Sequence, residues 1–561
     1  MAKKIDVKNL LRRYEDAWTD VSEWIADAGD LIDFVAPGRG VTDRHNKPKK
    51  RELTSKKLIN GTASEAITIF SSGVHGRLTG PSRQWFRAKF EEETPAGEVL
   101  KRWMNDCVRR LHRGFHRSNF YEQMPGFYEE WGAFGTASMS HSDDAKNVFK
   151  FNLLTYGEFV FTLKANGDLD YYFRDIWLTA RQMEKLYGTK NLPTSIQQKL
   201  KDKKDDNTFY KIVQVVFEQP YMDKDFTSVH IFHTRPNNSN SNSVHDKPLK
   251  VGGNYEHPFS ISRYSVIGSD AFGIGLGSKI LNDSKRLQEM EKALLMATHK
   301  AVAPAVNAPS HLKNRVQLRP DGINYMSSTG QKVETIENRG FEYNGVAASV
   351  ERIEKRIGKA CFNDVFLTGM RDPNASPLKA TQVNRMEDEE IIRLGPAVGR
   401  VSSEHIVPIV RWAFNSMMRR GLFAEIDPAL LEEAGNFQIE MIGPLAQMQK
   451  LIEARSIQTF FQFVGGVIQF DESVRDKINS DASIDEFADI TGVPLTVLND
   501  ETKVQGIRDT RQKAIAAQQQ QQQQIQQQGM SLQAEKEKSE IAKNYADANE
   551  SSQGGMAQGM M

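Results

Sequence analysis

Apolar residues recur at helical spacing through the first part of the chain. Between residues 5 and 34 they fall every three or four positions, and the helix-breaking pair Pro37 and Gly38 follows them. This pattern predicts one amphipathic helix over residues 5–34. The same spacing predicts two further helices, over residues 58–78 and 100–115.

A different pattern follows in residues 148–235. Apolar and polar positions alternate with period two in several short runs, and Asn166 and Gly167 stand between two of these runs. An Asn-Gly pair favours the tight turn of a β-hairpin. We therefore expect antiparallel strands with hairpins near 148–235, within an α+β domain.

After Gly268 the pattern becomes helical again. Residues 279–303 contain neither glycine nor proline and predict a helix about 37 Å long, at 1.5 Å per residue. A second helix is predicted over residues 346–367, and the insert between them, residues 304–345, carries turn signals. A loop rich in Gly, Pro and Asn, residues 368–378, then leads into a long charged helical segment.

Basic residues share one side of each of these two helices. In the second helix, four of them lie opposite an apolar stripe. The basic stripe comprises Arg352, Lys355, Arg356 and Lys359, and the apolar stripe Val350, Ile353, Ile357, Cys361 and Val365. In the first helix, Lys285 and Lys292 are seven residues apart and remain near one face.

Composition narrows the functional classes. At 561 residues the chain is long enough for three or four packed units. Its 73 Lys and Arg against 72 Asp and Glu exclude the basic excess of a tight, general nucleic-acid binder, so any such contact must be local. Only two cysteines, no secretory signal and no run of about 18 apolar residues predict a soluble, intracellular product.

Two glycine patterns partly match the motifs of nucleotide-binding sites. Gly268 to Gly273 has the glycine spacing of a phosphate-binding loop, but Ile274 and Gly275 occupy the positions that need Lys and Ser or Thr. The run from Gly273 to Gly277 also lacks the dinucleotide-binding spacing. We interpret this run as a flexible joint into the following helix.

No catalytic, cofactor-binding or metal-binding residue is predicted. His112 and His116 are four residues apart, but Arg113 stands where a zinc-protease motif has glutamate. The acidic residues 387–390 point in different directions on a helix, which favours solvated charge or inter-subunit pairing over a cation site. An enzyme with a dispersed site remains an alternative.

Six short segments together resemble one protein family. The segments are GPSRQWF at 80–86, WGAFGTA at 131–137, YGEFV at 156–160, GIGLGS at 273–278, ATQVNR at 380–385 with LGP at 394–396, and GPLAQ at 443–447. In this order and spacing the sequence resembles the head-to-tail connector, or portal, proteins of short-tailed, podovirus-type bacteriophages, up to about Arg511.

The resemblance implies a mainly helical α+β portal-type fold that assembles into a ring, typically of twelve subunits. Its parts would be a wing at 1–270 with a long wing helix at 379–436, stem helices at 279–303 and 346–367, a small α/β clip at 304–345, a tunnel loop at 368–378 and a helical crown at 437–517. Residues 518–561 depart from the simplest family pattern, and their Gln-rich composition predicts a disordered tail.

The resemblance also implies a function without enzymatic activity, cofactor or membrane contact. Such rings occupy one capsid vertex, conduct double-stranded DNA during packaging and ejection, and dock the packaging motor and the tail. The implied partners are capsid and scaffolding proteins, terminase and tail adaptor proteins, in a virion assembled in the host cytoplasm. A structural adaptor ring that is not a portal is the second hypothesis.

Under this resemblance, basic residues of the stem and tunnel loop are candidates to line the DNA channel. They are Lys285, Lys292, Arg352, Lys355, Arg356, Lys359, Arg371 and Lys379. The alternative for the stripe of the second helix is pairing with Glu351, Glu354 or acidic residues of a neighbouring subunit.

Overall fold

The computed structural model describes most, but not all, of the chain. The described residues are 5–41, 57–90, 97–202, 208–233, 247–302, 305–308, 316, 334–335, 343–367, 393–428, 437–442, 457–467, 479, 481–484, 487 and 501–554. The chain divides into two compact units, Met1–Phe463 and Val464–Met561. The predicted tunnel loop, 368–378, lies outside the described residues.

Many of the described residues of the first unit are helical. The helices are α1 (Val7–Asp20), α2 (Ser22–Phe34), α3 (Thr62–Leu78), α4 (Gly97–Arg117), α5 (Phe120–Phe134), α6 (Ala180–Tyr187), α7 (Thr194–Asp202), α8 (Leu276–Val302), α9 (Tyr343–Ala360), α10 (Asn363–Phe366) and α11 (Val407–Arg419). Helical residues 393–401 and a π-helical turn, Ser402–Ile406, precede α11. None of the helices described is both long and apolar enough to cross a membrane.

The strands are short and pair antiparallel. They are β1 (Phe86–Phe90), β2 (Thr136–Asp144), β3 (Val148–Leu154), β4 (Phe159–Leu163), β5 (Leu169–Thr179), β6 (Phe209–Tyr221), β7 (Lys224–His233), β8 (Lys250–Asn254), β9 (Phe259–Arg263), β10 (Val306–Asn307), β11 (Glu334–Thr335) and β12 (Phe437–Met441). One sheet has the order β4-β5-β6-β7-β8 and another β3-β2-β9, and β1 pairs with β12 and β10 with β11. The chain is thus mainly helical with several sheets, as the sequence predicts.

The predicted hairpin at Asn166 and Gly167 is confirmed. Strands β4 and β5 pair antiparallel from Phe159 opposite Arg174 to Leu163 opposite Leu169. Gly167 adopts a φ of 89°, a left-handed conformation that costs glycine little. Its N–H donates to Lys164 O, and this hydrogen bond closes the turn.

The predicted helix at the N-terminus is in fact two helices, which meet at Val21. In α1, the Tyr14 hydroxyl donates to Asp175 Oδ1 of β5 at 2.8 Å. In α2, Asp30 pairs with Lys285 of α8 at 2.6 Å. The break therefore lets one segment pack on two separate elements, which a single straight helix cannot do.

The glycine run from Gly273 to Gly277 is a close-packed contact and not the flexible joint that we expected. A Cβ atom added at Gly273 would lie 2.6 Å from Gly135 O, and one added at Gly275 would lie 2.5 Å from Gly132 O. At Gly277 the added atom would overlap Ala133 O. Glycine is needed here because the start of α8 touches the backbone at the end of α5.

Strand β12 lies at residue 437, where the crown is expected to begin. Phe437 lies opposite Phe90 of β1 and Met441 opposite Phe86. Arg87 and Glu440 reinforce this pairing with an ion pair of 2.7 Å. Residues 437–442 therefore pack with the first unit's N-terminal half.

In the second unit, one long helix, α12 (Glu501–Gly554), includes most of the Gln-rich segment for which we expected disorder. Glutamine, alanine, lysine and glutamate have high helix propensities, which explains helix formation without a packed face. Every side chain described between 529 and 546 is exposed.

Candidate functional site

Helices α8 and α9 carry six of the eight candidate channel residues. The other two, Arg371 and Lys379, lie outside the described residues. Ile280 and Leu287 of α8 are buried, and Ser284 Oγ donates to Phe34 O of α2 at 2.8 Å. The first half of α8 is therefore fixed against α2, whereas Lys292 in the second half is exposed.

The two predicted faces of α9 are confirmed. Its apolar positions are all buried, at 7% exposure or less: Val350, Ile353, Ile357, Cys361 of the following turn and Val365 of α10. The four basic side chains are all exposed: Arg352, Lys355, Arg356 and Lys359. The helix thus buries one side in the first unit and presents a basic surface on the other.

Three of the basic residues have carboxylate partners within the chain. Arg356 Nε donates to Asp283 Oδ2 of α8 at 2.7 Å, which joins the two helices. Lys355 pairs with Glu351 at 2.6 Å, and this hydrogen bond raises the pKa of Lys355. Lys285 is the third, through Asp30. Of these pairs, only Lys355 with Glu351 is one that the alternative hypothesis named.

The remaining three cations are less constrained. Among the described residues, Arg352 donates only to Ser349 Oγ, at 3.4 Å. Within the part of the chain that the structure describes, Lys292 and Lys359 are exposed and have neither a hydrogen-bonded nor an ion-pair partner. Of the six described candidates, these three therefore have no carboxylate partner among the described residues.

Asn60 is a positioning residue that the sequence analysis missed. The Asn60 side-chain amide donates to Glu291 of α8 at 3.1 Å and to Glu354 of α9 at 2.8 Å. Its backbone N–H donates to Gln288 Oε1, and Gln288 returns a hydrogen bond to Asn60 O. The Asn-Gly-Thr turn before α3 therefore ties α8 to α9, a role that no local pattern indicates.

The short helix α10 is fixed by α3. Arg77 donates to Val365 O at 2.7 Å, and its guanidinium lies 5.2 Å from the centre of the Phe366 ring. The same ring fills the space beside Gly73, where an added Cβ would collide with it. The chain therefore leaves α10 at a defined position, immediately before the predicted tunnel loop.

The histidine pair examined as a zinc site has a structural role. The His112 ring stacks on Phe86 with centroids 4.3 Å apart, and burial lowers the pKa of His112 to about 4. The His116 ring lies instead against Tyr121. Among the described residues, no group of three His, Cys, Asp or Glu side chains is arranged to hold a metal ion.

Two solved structures are similar to this chain at low TM-scores. One is a chain from the virion of a native gene transfer agent (GTA) particle, at TM-score 0.32 and 11% identity, covering 70% of this chain and 88% of that one. The other is from the neck of an empty GTA particle computed with C6 symmetry, at TM-score 0.36 and 10% identity, covering 72% and 86%.

Two known proteins and one family model are similar to this chain in sequence. The chain is 29% identical over 559 residues to the portal protein of Salmonella phage epsilon15, covering 97% of this chain and 96% of that protein. It is 24% identical over 543 residues to the probable portal protein of Bordetella phage BPP-1, covering 92% and 94%. The family model for the bacteriophage head to tail connecting protein matches residues 7–498. The chain therefore belongs to the family of bacteriophage head-to-tail connecting proteins.

Proposed function

We propose that this chain is the subunit of a phage portal. In this function a ring of subunits occupies one capsid vertex, conducts DNA during packaging and ejection, and docks the packaging motor and the tail. The observation that carries the proposal is the family match, which runs through nearly the whole chain and includes both helices of the candidate site. The protein would accordingly be a structural component of the virion.

The described elements support an assignment of parts. Residues 1–270 would form the wing, α8 and α9 the stem, and the segment between them the clip. Within that segment β10 pairs antiparallel with β11, Val306 opposite Thr335, which brings the two ends of the insert together. Helical residues 393–419 would belong to the long wing helix, and the crown would begin after Ile442.

The charge pattern suits a conduit better than a binder. A near-neutral chain, with formal net charge +1, avoids the dense phosphate neutralisation that would hold DNA in place. Ring symmetry repeats each exposed cation of the stem once per subunit, so a few per chain produce circles of positive charge. Carboxylates beside these cations, such as Glu351, would weaken the binding of DNA in any single register.

The decisive experiment is the mass and shape of the purified full-length protein. We expect light scattering after size-exclusion chromatography to give about twelve times the subunit mass of 63.4 kDa. Electron microscopy should show closed rings with an axial hole wide enough for duplex DNA. A stable monomer at micromolar concentration would contradict the proposal, and rings with a hole too narrow for DNA would favour the adaptor hypothesis.

A further inference from the structure

A cavity of about 630 Å³ lies in the first unit, away from α8 and α9. Its floor is one face of the five-stranded sheet. Four residues form a row across that face: Arg174 of β5 lies opposite Gln214 of β6, which lies opposite His230 of β7, which lies opposite Lys250 of β8. Neighbouring strands are about 4.8 Å apart, so Arg174 and Lys250 stand roughly 14 Å apart at the backbone.

The opposite wall comes from β2 and α11. His141 and Ser142 of β2 line it, together with Trp412 and Ser416 of α11. The His141 ring lies against Trp412, with centroids 4.4 Å apart. This wall and the sheet enclose a volume within the range of small-ligand sites, which is about 300–1,000 Å³.

The two carboxylates of the lining are already engaged. Glu256 receives two hydrogen bonds from Arg419, at 2.6 and 2.9 Å. Asp143 accepts from Ser416 Oγ and lies 4.0 Å from Arg420. The negative charge of the lining is therefore matched by Arg419 and Arg420.

Three lining cations have no such match. Among the described residues, Arg174, Lys224 and Lys250 form neither an ion pair nor a side-chain hydrogen bond. The Lys224 ammonium group lies 5.2 Å from the centre of the Tyr255 ring. Arg174 is the most enclosed, and burial lowers its pKa. Glu158 lies near enough to Arg174 to favour the charged form of the guanidinium. One Glu158 oxygen, however, already accepts a hydrogen bond from Thr155 N–H. Enclosing a guanidinium without an ion-pair partner is unfavourable in free energy, and a bound anion would offset this cost.

We propose that this cavity binds a small polyanion, whose carboxylate or phosphate groups pair with Arg174, Lys224 and Lys250. Because the cations are spread over several strands, the ligand needs at least two anionic groups. Gly252 leaves the floor open at β8, since a Cβ added there would meet nothing within 4 Å. The site is independent of the channel and does not rest on the proposed portal function.

The test measures binding of tripolyphosphate and of citrate to the full-length protein by calorimetry, with sodium chloride at matched ionic strength as the reference. We expect saturable binding of at least one probe, and the tighter probe identifies phosphate or carboxylate as the preferred group. Arg174→Gln should weaken it at least tenfold, the loss expected when a charge-assisted pair disappears. Lys190→Gln, an exposed cation outside the cavity, makes the same charge change and should leave affinity unaltered.

Several outcomes would overturn the proposal. These are the absence of saturable binding for both probes, unchanged affinity in Arg174→Gln, or an equal loss in Lys190→Gln, which would indicate general charge attraction. Thermal unfolding without ligand is the folding control, and Arg174→Gln should be at least as stable as wild type because it removes an unpaired charge. Should that variant not fold, the double variant Lys224→Gln and Lys250→Gln is judged by the same criteria.

Discussion

At the scale of the residue, His405 shows how far burial alters an ordinary side chain. The ring is fully buried and stacks on Phe127, with centroids 3.7 Å apart. Neither ring nitrogen has a hydrogen-bond partner among the described residues. Burial, together with the nearby His141, holds the pKa of His405 well below 6.5. The histidine is therefore neutral in the folded protein.

This predicts a specific loss of stability in acid. Below about pH 6.5 an unfolded histidine binds a proton that folded His405 does not, so the unfolded state is favoured as pH falls. Each such group changes the free energy of unfolding by at most about 1.4 kcal/mol per pH unit. When the pH is lowered from about 7 to about 5, the free energy of unfolding should fall less in His405→Phe than in wild type. Chemical denaturation at each pH measures this difference. The control is exposed His299→Gln, and equal pH slopes for wild type and His405→Phe would contradict the prediction.

The stem cations give a second residue-scale prediction. Arg352 and Lys359 have no carboxylate partner among the described residues, whereas Arg356 pairs with Asp283. The double variant Arg352→Gln and Lys359→Gln should therefore assemble normally but package or retain less DNA, with little dependence on DNA sequence. Arg356→Gln should lower thermal stability instead. Normal DNA content in particles built with the double variant would show that these cations do not contact DNA.

At the scale of the element, the start of α8 depends on glycine. The α5 helix ends with buried Trp131 and Phe134, and Gly135 follows with a φ of 85°. Gly275 and Gly277 lie directly on this backbone. The two segments, both part of the family resemblance, are thus one contact, which sets the direction of α8 relative to α5.

A pair of glycine substitutions tests this contact. Gly277→Ala should strongly lower the melting temperature or prevent folding, because its Cβ would overlap Ala133 O. Gly76→Ala in α3 is the matched control, since an added Cβ there meets nothing within 4 Å. In a helix that change should be neutral or stabilising by up to about 1 kcal/mol. Equal melting temperatures of the two variants, measured by circular dichroism, would disprove tight packing at Gly277.

At the scale of the whole molecule, the C-terminal residues contribute little to the packed units. The described side chains from 529 to 546 are exposed, including the apolar side chains of Met530 and Ile541. A helix of this kind has no tertiary packing to stabilise it. Assembly should therefore depend on the first unit.

Truncation before Gly529 should leave ring assembly unchanged. We expect the shortened protein to give the same subunit number by light scattering and the same closed rings by electron microscopy, because the described side chains after residue 528 are exposed. Limited proteolysis of the full-length protein should cleave first in the segment after Gly529. Aggregates or open arcs from the shortened protein would show that the tail takes part in assembly.

The sequence by itself determined the elements that depend on local periodicity. The helix predicted at 279–303 is observed at Leu276–Val302, and the Asn-Gly hairpin and both faces of α9 follow the prediction. Spacing of 3.6 or 2.0 residues is a local property, so a short window is enough to detect it. The family resemblance was likewise available from short segments in a fixed order.

Only the tertiary structure decided which residues meet across long stretches of chain. Arg356 pairs with Asp283, β1 pairs with β12, and Asn60 joins α8 to α9, although in each case the partners are distant in sequence. It also changed a presumed glycine hinge into a close backbone contact. Such contacts depend on how the elements pack in three dimensions, and that packing leaves no periodic signal in the sequence.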